Sequence, residues 1–213
     1  MFAPACHLMQ PGLAAKLGQF VGAGGTLVVT FFSGIVDSNE RVLLGGYPAS
    51  LRTLLGIEVE EWNPLMPDGG NAMSVFGNNY RVSHWTEVVR AETAEIMSRF
   101  ESGWIAGGPA LTRNRFEAGT AWYLATQPEP SFYADFIAHL AAEAAVHPVL
   151  IAPSGVQAII RENERAKFLF LLNHTKNAVE LTNETLTGRD LLTGLDCAGK
   201  LTLLPREVAV LQL

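Results

Sequence analysis

The sequence predicts an α/β domain built on a mostly parallel sheet with flanking helices, followed by a small antiparallel β domain. Three observations predict it. Residues 26–32 form an apolar, β-branched run between Gly24-Gly25 and Ser33-Gly34. A short run of this kind, bounded by turn residues, reads as a strand buried on both faces. Strand, helix and strand signals follow one another over residues 1–32, which is the order of a βαβ unit. Beyond Pro153-Ser154-Gly155 only short strand patterns remain, at even spacing with polar turns. The division expected is 1–150 for the α/β domain and 151–213 for the β domain.

Each element has its own signal. Residues 1–6 read as the end of a strand that began earlier, as in a fragment or a product of an internal start. Residues 11–23 predict a helix. Pro11 suits a first position, Leu13, Leu17, Phe20 and Val21 make the apolar stripe, and Gly24 supplies the stop. Residues 48–55 predict a second short helix ended by Gly56, and 57–62 a strand. Residues 64–79 are rich in Gly, Pro and Asn and read as a long loop with at most a short strand at 73–76. From Tyr80 to Thr126 the signals are mostly strand. Ser131 is the expected N-cap of a helix over 132–145, with Phe132, Phe136, Ile137, Leu140 and Ala144 on its inner face. Six strands are expected after it: 156–161, 167–173, 178–181, 186–190, 200–203 and 207–211. Their core is small, so this module should lean on a neighbour.

Composition bounds the function. Hydrophobic residues make up 48% of the 213, but charged residues only 17%. So little charge hints at a surface covered by another subunit or domain. The net charge of −6 argues against nucleic acid or an anionic membrane as partner. No apolar run reaches membrane-spanning length, and residues 1–10 lack the pattern of a signal peptide. Cys6 and Cys197 make no disulfide framework, so a cytoplasmic location is expected.

No residue pattern makes an active site. Cys6 lies at a strand-to-helix turn, where some hydrolases and amidotransferases hold a nucleophile. Its neighbours Ala5 and His7 are not the glycines of a nucleophile elbow, and a small core residue is the plainer reading. Asp37 and Glu40 pair carboxylates on the loop after the central strand, with no further ligand residues nearby. His7, His84, His139, His147 and His174 are scattered without metal-ligand spacing. Gly45-Gly46 and Gly107-Gly108 lack the spacing of phosphate loops. Arg113 and Arg115 could clamp an anion, although basic residues on a strand edge are commoner. Trp62, Trp85, Trp104 and Trp122 could stack on sugars, but they share no turn and core packing is expected. Asn173-His174-Thr175 and Asn183-Glu184-Thr185 match a glycosylation pattern that means nothing without secretion. No catalytic, cofactor or metal residue is therefore assigned.

A resemblance covers nearly the whole chain. It runs through Gly24-Gly25-Thr26-Leu27-Val28, Ser33-Gly34-Ile35-Val36-Asp37, Leu44-Gly45-Gly46-Tyr47-Pro48, Leu51-Arg52, Leu55-Gly56-Ile57 and Glu60-Glu61. It continues at Pro109-Ala110-Leu111-Thr112-Arg113-Asn114 and Gly119-Thr120-Ala121-Trp122-Tyr123-Leu124. It returns at Phe168-Leu169-Phe170-Leu171-Leu172-Asn173-His174 and Asp190-Leu191-Leu192-Thr193-Gly194. These segments resemble glycoside hydrolase family 42, the bacterial β-galactosidases. The resemblance implies a trimerisation domain of Rossmann-like, amidotransferase-like fold and a C-terminal β domain, without the catalytic (β/α)₈ barrel, which needs about 250 residues. It also implies that the acid/base Glu follows an Asn at a barrel strand end. Asn39-Glu40, Asn163-Glu164 and Asn183-Glu184 all fall in turns outside any barrel, so none is carried over. The implied partners are further copies of the chain, as a homotrimer, and the barrel, met through the loop between Ser33 and Gly46. Two other readings compete: a Cys6-dependent amidotransferase-like hydrolase, and a carbohydrate-binding module in the β domain.

Overall fold

The computed structural model describes residues 1–66 and 69–213, without the side chain of Thr185. Pro67 and Asp68 of the loop expected at 64–79, and the threonine of the second glycosylation pattern, lie outside the described residues. The chain forms two compact units, Met1–Ala145 and Val146–Leu213.

In the first unit, β1 (Phe2–Ala3) and β2 (Leu8–Met9) precede α1 (Leu13–Gly22), β3 (Thr26–Thr30) and β4 (Val36–Asp37). A 3-10 turn (Ala49–Leu51) leads into α2 (Arg52–Leu55). Then come β5 (Ile57–Pro64), β6 (Asn71–Val75), β7 (Asn78–Ala91), β8 (Glu95–Arg99), β9 (Pro109–Phe116), β10 (Gly119–Leu124), β11 (Thr126–Pro128) and α3 (Pro130–Glu143). The central sheet has the order β1-β3-β10-β9-β8, and β5, β6 and β11 all pair with the long β7 in a second sheet.

The expected mostly parallel, helix-flanked Rossmann-like or amidotransferase-like sheet is not what forms. Strands take 48% of the residues and helices 15%, spread over several sheets. Within the larger sheets, parallel pairing is confined to β1 with β3 and β3 with β10. The βαβ unit around α1 does not repeat. β6 is joined to β7 by Phe76-Gly77 and β9 to β10 by Glu117-Ala118, and a parallel partner needs a crossover of a dozen residues or more. Hairpins are the only pairing such links allow.

The central strands bury both faces, and their side chains alternate between two cores. Leu27, Val29, Ala121 and Tyr123 face Leu17 and Val21 of α1, Leu54 and Leu55 of α2, and Ile57 and Val59 of β5. Val28, Trp122 and Leu124 face Phe132, Phe136 and Leu140 of α3, with Met73, Tyr80 and Val82. Gly119 lets α1 lie this close, since a Cβ there would stand 2.1 Å from the Val21 carbonyl oxygen. Arg113 clamps α3 to the sheet. It pairs with Glu95 (2.7 Å) and Glu143 (3.0 Å) and lies over the Trp122 ring.

Three details of α3 differ from expectation, the first being that Ala144, expected on the inner face, is the exposed C-cap beyond Glu143. Pro130 takes the first position and Glu129 is the N-cap, so Ser131 sits inside the first turn. Ile137 is exposed, because the stripe at 132, 136 and 140 already fills the contact. No helix is long and apolar enough to cross a membrane among the described residues.

The second unit is one antiparallel sheet, ordered β12-β13-β16-β14-β15. Its strands are β12 (Val156–Glu162), β13 (Lys167–Asn173), β14 (Val179–Asp190), β15 (Asp196–Leu203) and β16 (Val208–Gln212). The two strands expected at 178–181 and 186–190 are one strand, with a register shift between Thr182 and Thr187. Leu169, Leu171, Leu181, Leu186, Leu203 and Leu211 form its core. Buried Asn173 closes one end by donating to the carbonyls of Asn177 (2.8 Å) and Leu204 (2.8 Å). At the other end Asp190 accepts from the Thr193 hydroxyl (2.6 Å) and the Val210 N–H (3.1 Å).

Candidate interaction site

The loop between Ser33 and Gly46 leaves the carboxyl end of β3, and its root is tightly fixed. Ser33 is buried; its hydroxyl donates to the Thr30 carbonyl (2.7 Å) and accepts from the Cys6 N–H (2.8 Å). Gly34 N–H donates to the Cys6 carbonyl, and Ile35 N–H to the His7 carbonyl. Phe32 takes a left-handed φ of 59°, and its N–H donates to Oε1 of Glu87 at 2.9 Å.

Glu87, on β7, is 1% exposed. Oε1 also accepts from the Trp85 indole (3.3 Å), while Oε2 accepts from the Tyr123 hydroxyl (2.5 Å). Burial pushes its carboxyl up to about 6, opposed by the hydrogen bonds from Tyr123, Phe32 and Trp85. The Tyr123 hydroxyl is pushed well above its ordinary value, by burial first and then by the Glu87 charge. Around this carboxylate the Phe32 ring stacks on His7 (4.8 Å) and meets Trp62 (5.5 Å) and Trp85 (5.3 Å) edge-on.

Beyond the root the loop is a hairpin. Val36 bridges to Val42, and Leu43 N–H donates to the Ile35 carbonyl. Oδ1 of Asp37 accepts from the N–H groups of Asn39 (2.7 Å) and Arg41 (3.0 Å), which hold its carboxyl below the usual range. The hairpin therefore presents Val42 and Leu44 in a fixed shape, 54% and 92% exposed. Its return limb meets a charge network at Gly45, whose carbonyl lies 3.5 Å from the Arg52 guanidinium. Arg52 pairs with Glu58 and twice with Glu92 and reaches the Gly45 carbonyl, and Arg90 pairs with Glu58, Glu60 and Glu92.

The residues singled out from sequence are not gathered into one site. Cys6 is half-buried, and burial raises its thiol above the usual value. His7 stacks on Phe32 instead of activating it, and no hydrogen bond joins the Cys6 thiol to a base among the described residues. The Cys6-dependent hydrolase reading fails on this geometry. Asp37 is spent on the hairpin turn, and Glu40 is exposed beside it. No cluster of three or more His, Cys, Asp or Glu could hold a metal ion among the described residues. Arg113 is the clamp on α3, and Arg115 is exposed. Trp122 is in the core, while Trp62 and Trp85 are half-buried in the aromatic cluster. Trp104, expected in the core with them, is 65% exposed on a turn.

The second unit carries no Trp or Tyr, and its Phe168 and Phe170 are half-buried, so it offers no sugar-stacking platform. The carbohydrate-binding reading falls with that.

Comparison with known proteins places this geometry. The β-galactosidase trimerisation domain matches residues 1–147, and the β-galactosidase C-terminal domain matches residues 155–213. The chain is 38% identical over its whole length to the β-galactosidase LacZ of Heyndrickxia coagulans, covering 32% of that protein. It is 37% identical to the β-galactosidase BgaA of a Planococcus species, over 99% of this chain and 32% of the relative. Among solved structures, the β-galactosidase of Bacillus circulans sp. alkalophilus superposes with a TM-score of 0.91 at 36% identity, over 99% of this chain and 32% of that one. A GH42 β-galactosidase of G. stearothermophilus gives 0.89 at 31%, over 99% and 31%. The chain thus spans about a third of the length of the relatives it matches. It belongs to the β-galactosidases of glycoside hydrolase family 42, of which it carries the trimerisation and C-terminal domains.

Proposed function

We propose that this chain is the assembly portion of a cytoplasmic β-galactosidase that hydrolyses terminal β-galactosides as a whole enzyme. Its first unit associates with further copies as a homotrimer. The catalytic carboxylates of the retaining mechanism belong to the (β/α)₈ barrel, and none is assigned here. The observation that carries this reading is the hairpin between Ser33 and Gly46. It holds Leu44 92% exposed on a braced scaffold, which makes sense as a preformed contact with the barrel or the adjoining subunit. The match of residues 1–147 to a trimerisation domain supports the same reading.

Light-scattering mass and a chromogenic galactoside assay test it. The 213-residue chain is expected to associate and to leave the galactoside intact. Leu44→Asp in the whole enzyme should weaken assembly without unfolding the subunit. Turnover by this chain that is lost on changing one of its carboxylates would overturn the proposal.

A further inference from the structure

We propose that Trp104 anchors the contact between copies of this chain, its indole being buried against the neighbouring copy when the first unit assembles. The inference rests on the assembly reading above and adds a second, independent element to it.

Trp104 lies on the turn between β8 and β9. Its neighbour Ile105 is 8% exposed and joins the core around α3, which leaves the indole facing outward at 65% exposure. The turn is closed by the Gly107 N–H donating to the Phe100 carbonyl (2.8 Å) and the Gly108 N–H to that of Ile105 (2.9 Å). Asn71, 9% exposed, clamps it from the neighbouring strand. Its Oδ1 accepts from the N–H groups of Glu101 (3.2 Å) and Ser102 (3.0 Å) and from the Ser102 hydroxyl, while its Nδ2 donates to the Ser102 carbonyl (2.8 Å).

A large aromatic side chain on a braced turn is the profile of an interface hot spot. It offers wide apolar area and loses little freedom on binding. Among the described residues its ring stacks on no other aromatic ring. The other three tryptophans all pack inside the first unit.

The occupant follows from the family to which residues 1–147 belong, a trimerisation domain. Three identical units close head-to-tail, so each copy presents the same side chain to a different surface of the next. One substitution then weakens every contact in the ring.

The test compares the wild-type chain with Trp104→Ala and Trp104→Phe by sedimentation equilibrium over a concentration series. The alanine variant should raise the dissociation constant by about 30-fold, which is about 2 kcal/mol at 1.4 kcal/mol per decade. The phenylalanine variant should keep most of the affinity. The wild-type-minus-Phe emission should shift to the red on dilution, as the indole returns to water. That readout stands even if the alanine variant fails to fold. An associated wild type whose alanine variant associates as tightly, or whose Trp104 emission ignores dilution, overturns the anchor alone. A wild type that stays monomeric at every concentration overturns the assembly reading with it.

Discussion

Replacing Glu87 by Gln isolates the electrostatic cost of the carboxylate buried beneath the loop root. In the folded chain that carboxyl titrates near pH 6, against 4.5 for an exposed glutamate. The shift of about 1.5 units is worth about 2 kcal/mol at 1.36 kcal/mol per unit. Because the folded value is raised, the proton is bound more tightly in the native state. The stability it contributes is fully present below about pH 4.5 and is lost as pH rises through about 6. Glutamine keeps the shape and one acceptor oxygen but does not titrate, and the loss of the second acceptor facing Tyr123 is a cost that does not vary with pH. The variant should therefore gain about 2 kcal/mol relative to wild type between pH 4 and pH 7.5. All four tryptophans lie in the first unit, so urea unfolding followed by tryptophan fluorescence reports on that unit. With a slope of about 2 kcal/mol per molar urea, the relative midpoint should move by about 1 M across the range. Taking the difference between the two proteins cancels the other titrating groups. A difference that is flat with pH, or that slopes the other way, would refute the argument.

Two further outcomes follow from the same region. Gly34→Ala should destabilise the first unit by at least about 2 kcal/mol, because a Cβ at φ 68° would stand 2.5 Å from the Pro48 carbonyl oxygen. Gly12→Ala is the control, having open space around it at φ 79°, and should cost only about 1 kcal/mol in the same urea titration. Alkylation of Cys6 by iodoacetamide at pH 7 should be slower than that of an exposed thiol, since burial holds the proton on the sulfur. Mass spectrometry of timed samples would show it, and a fast-reacting Cys6 would reopen the nucleophile reading.

What the sequence revealed was local. The stripe of Leu13, Leu17 and Val21 marked α1, and the alternation of residues 167–173 marked β13, because both patterns repeat within a few residues. Glu87 was invisible: it sits among alternating strand residues, and its partners Tyr123 and Phe32 lie 36 and 55 residues away. Trp104 was misjudged for the converse reason, since nothing local says that Asn71, 31 residues distant from Ser102, fixes its turn. The fold class failed on the same ground. The apolar run at β3 showed burial on both faces, and both its neighbours do run parallel, but the antiparallel pairing of β5 to β9 is set by which segments meet, which no local pattern shows. The polar pair Asn183-Glu184 read as a turn, whereas a register shift carries one strand straight through it.

The pairing of β3 with β10 has a kinetic consequence. Thr26 meets Thr120, roughly ninety residues further along the chain. During synthesis at about 5–20 residues per second, Leu27, Val28 and Val29 leave the ribosome many seconds before that neighbour exists. Of the two strands that pair with β3 among the described residues, the brief β1 is the one made before it. The nascent chain thus spends its most aggregation-prone interval with its central strand half-clothed, and holdase chaperones have their natural opening there.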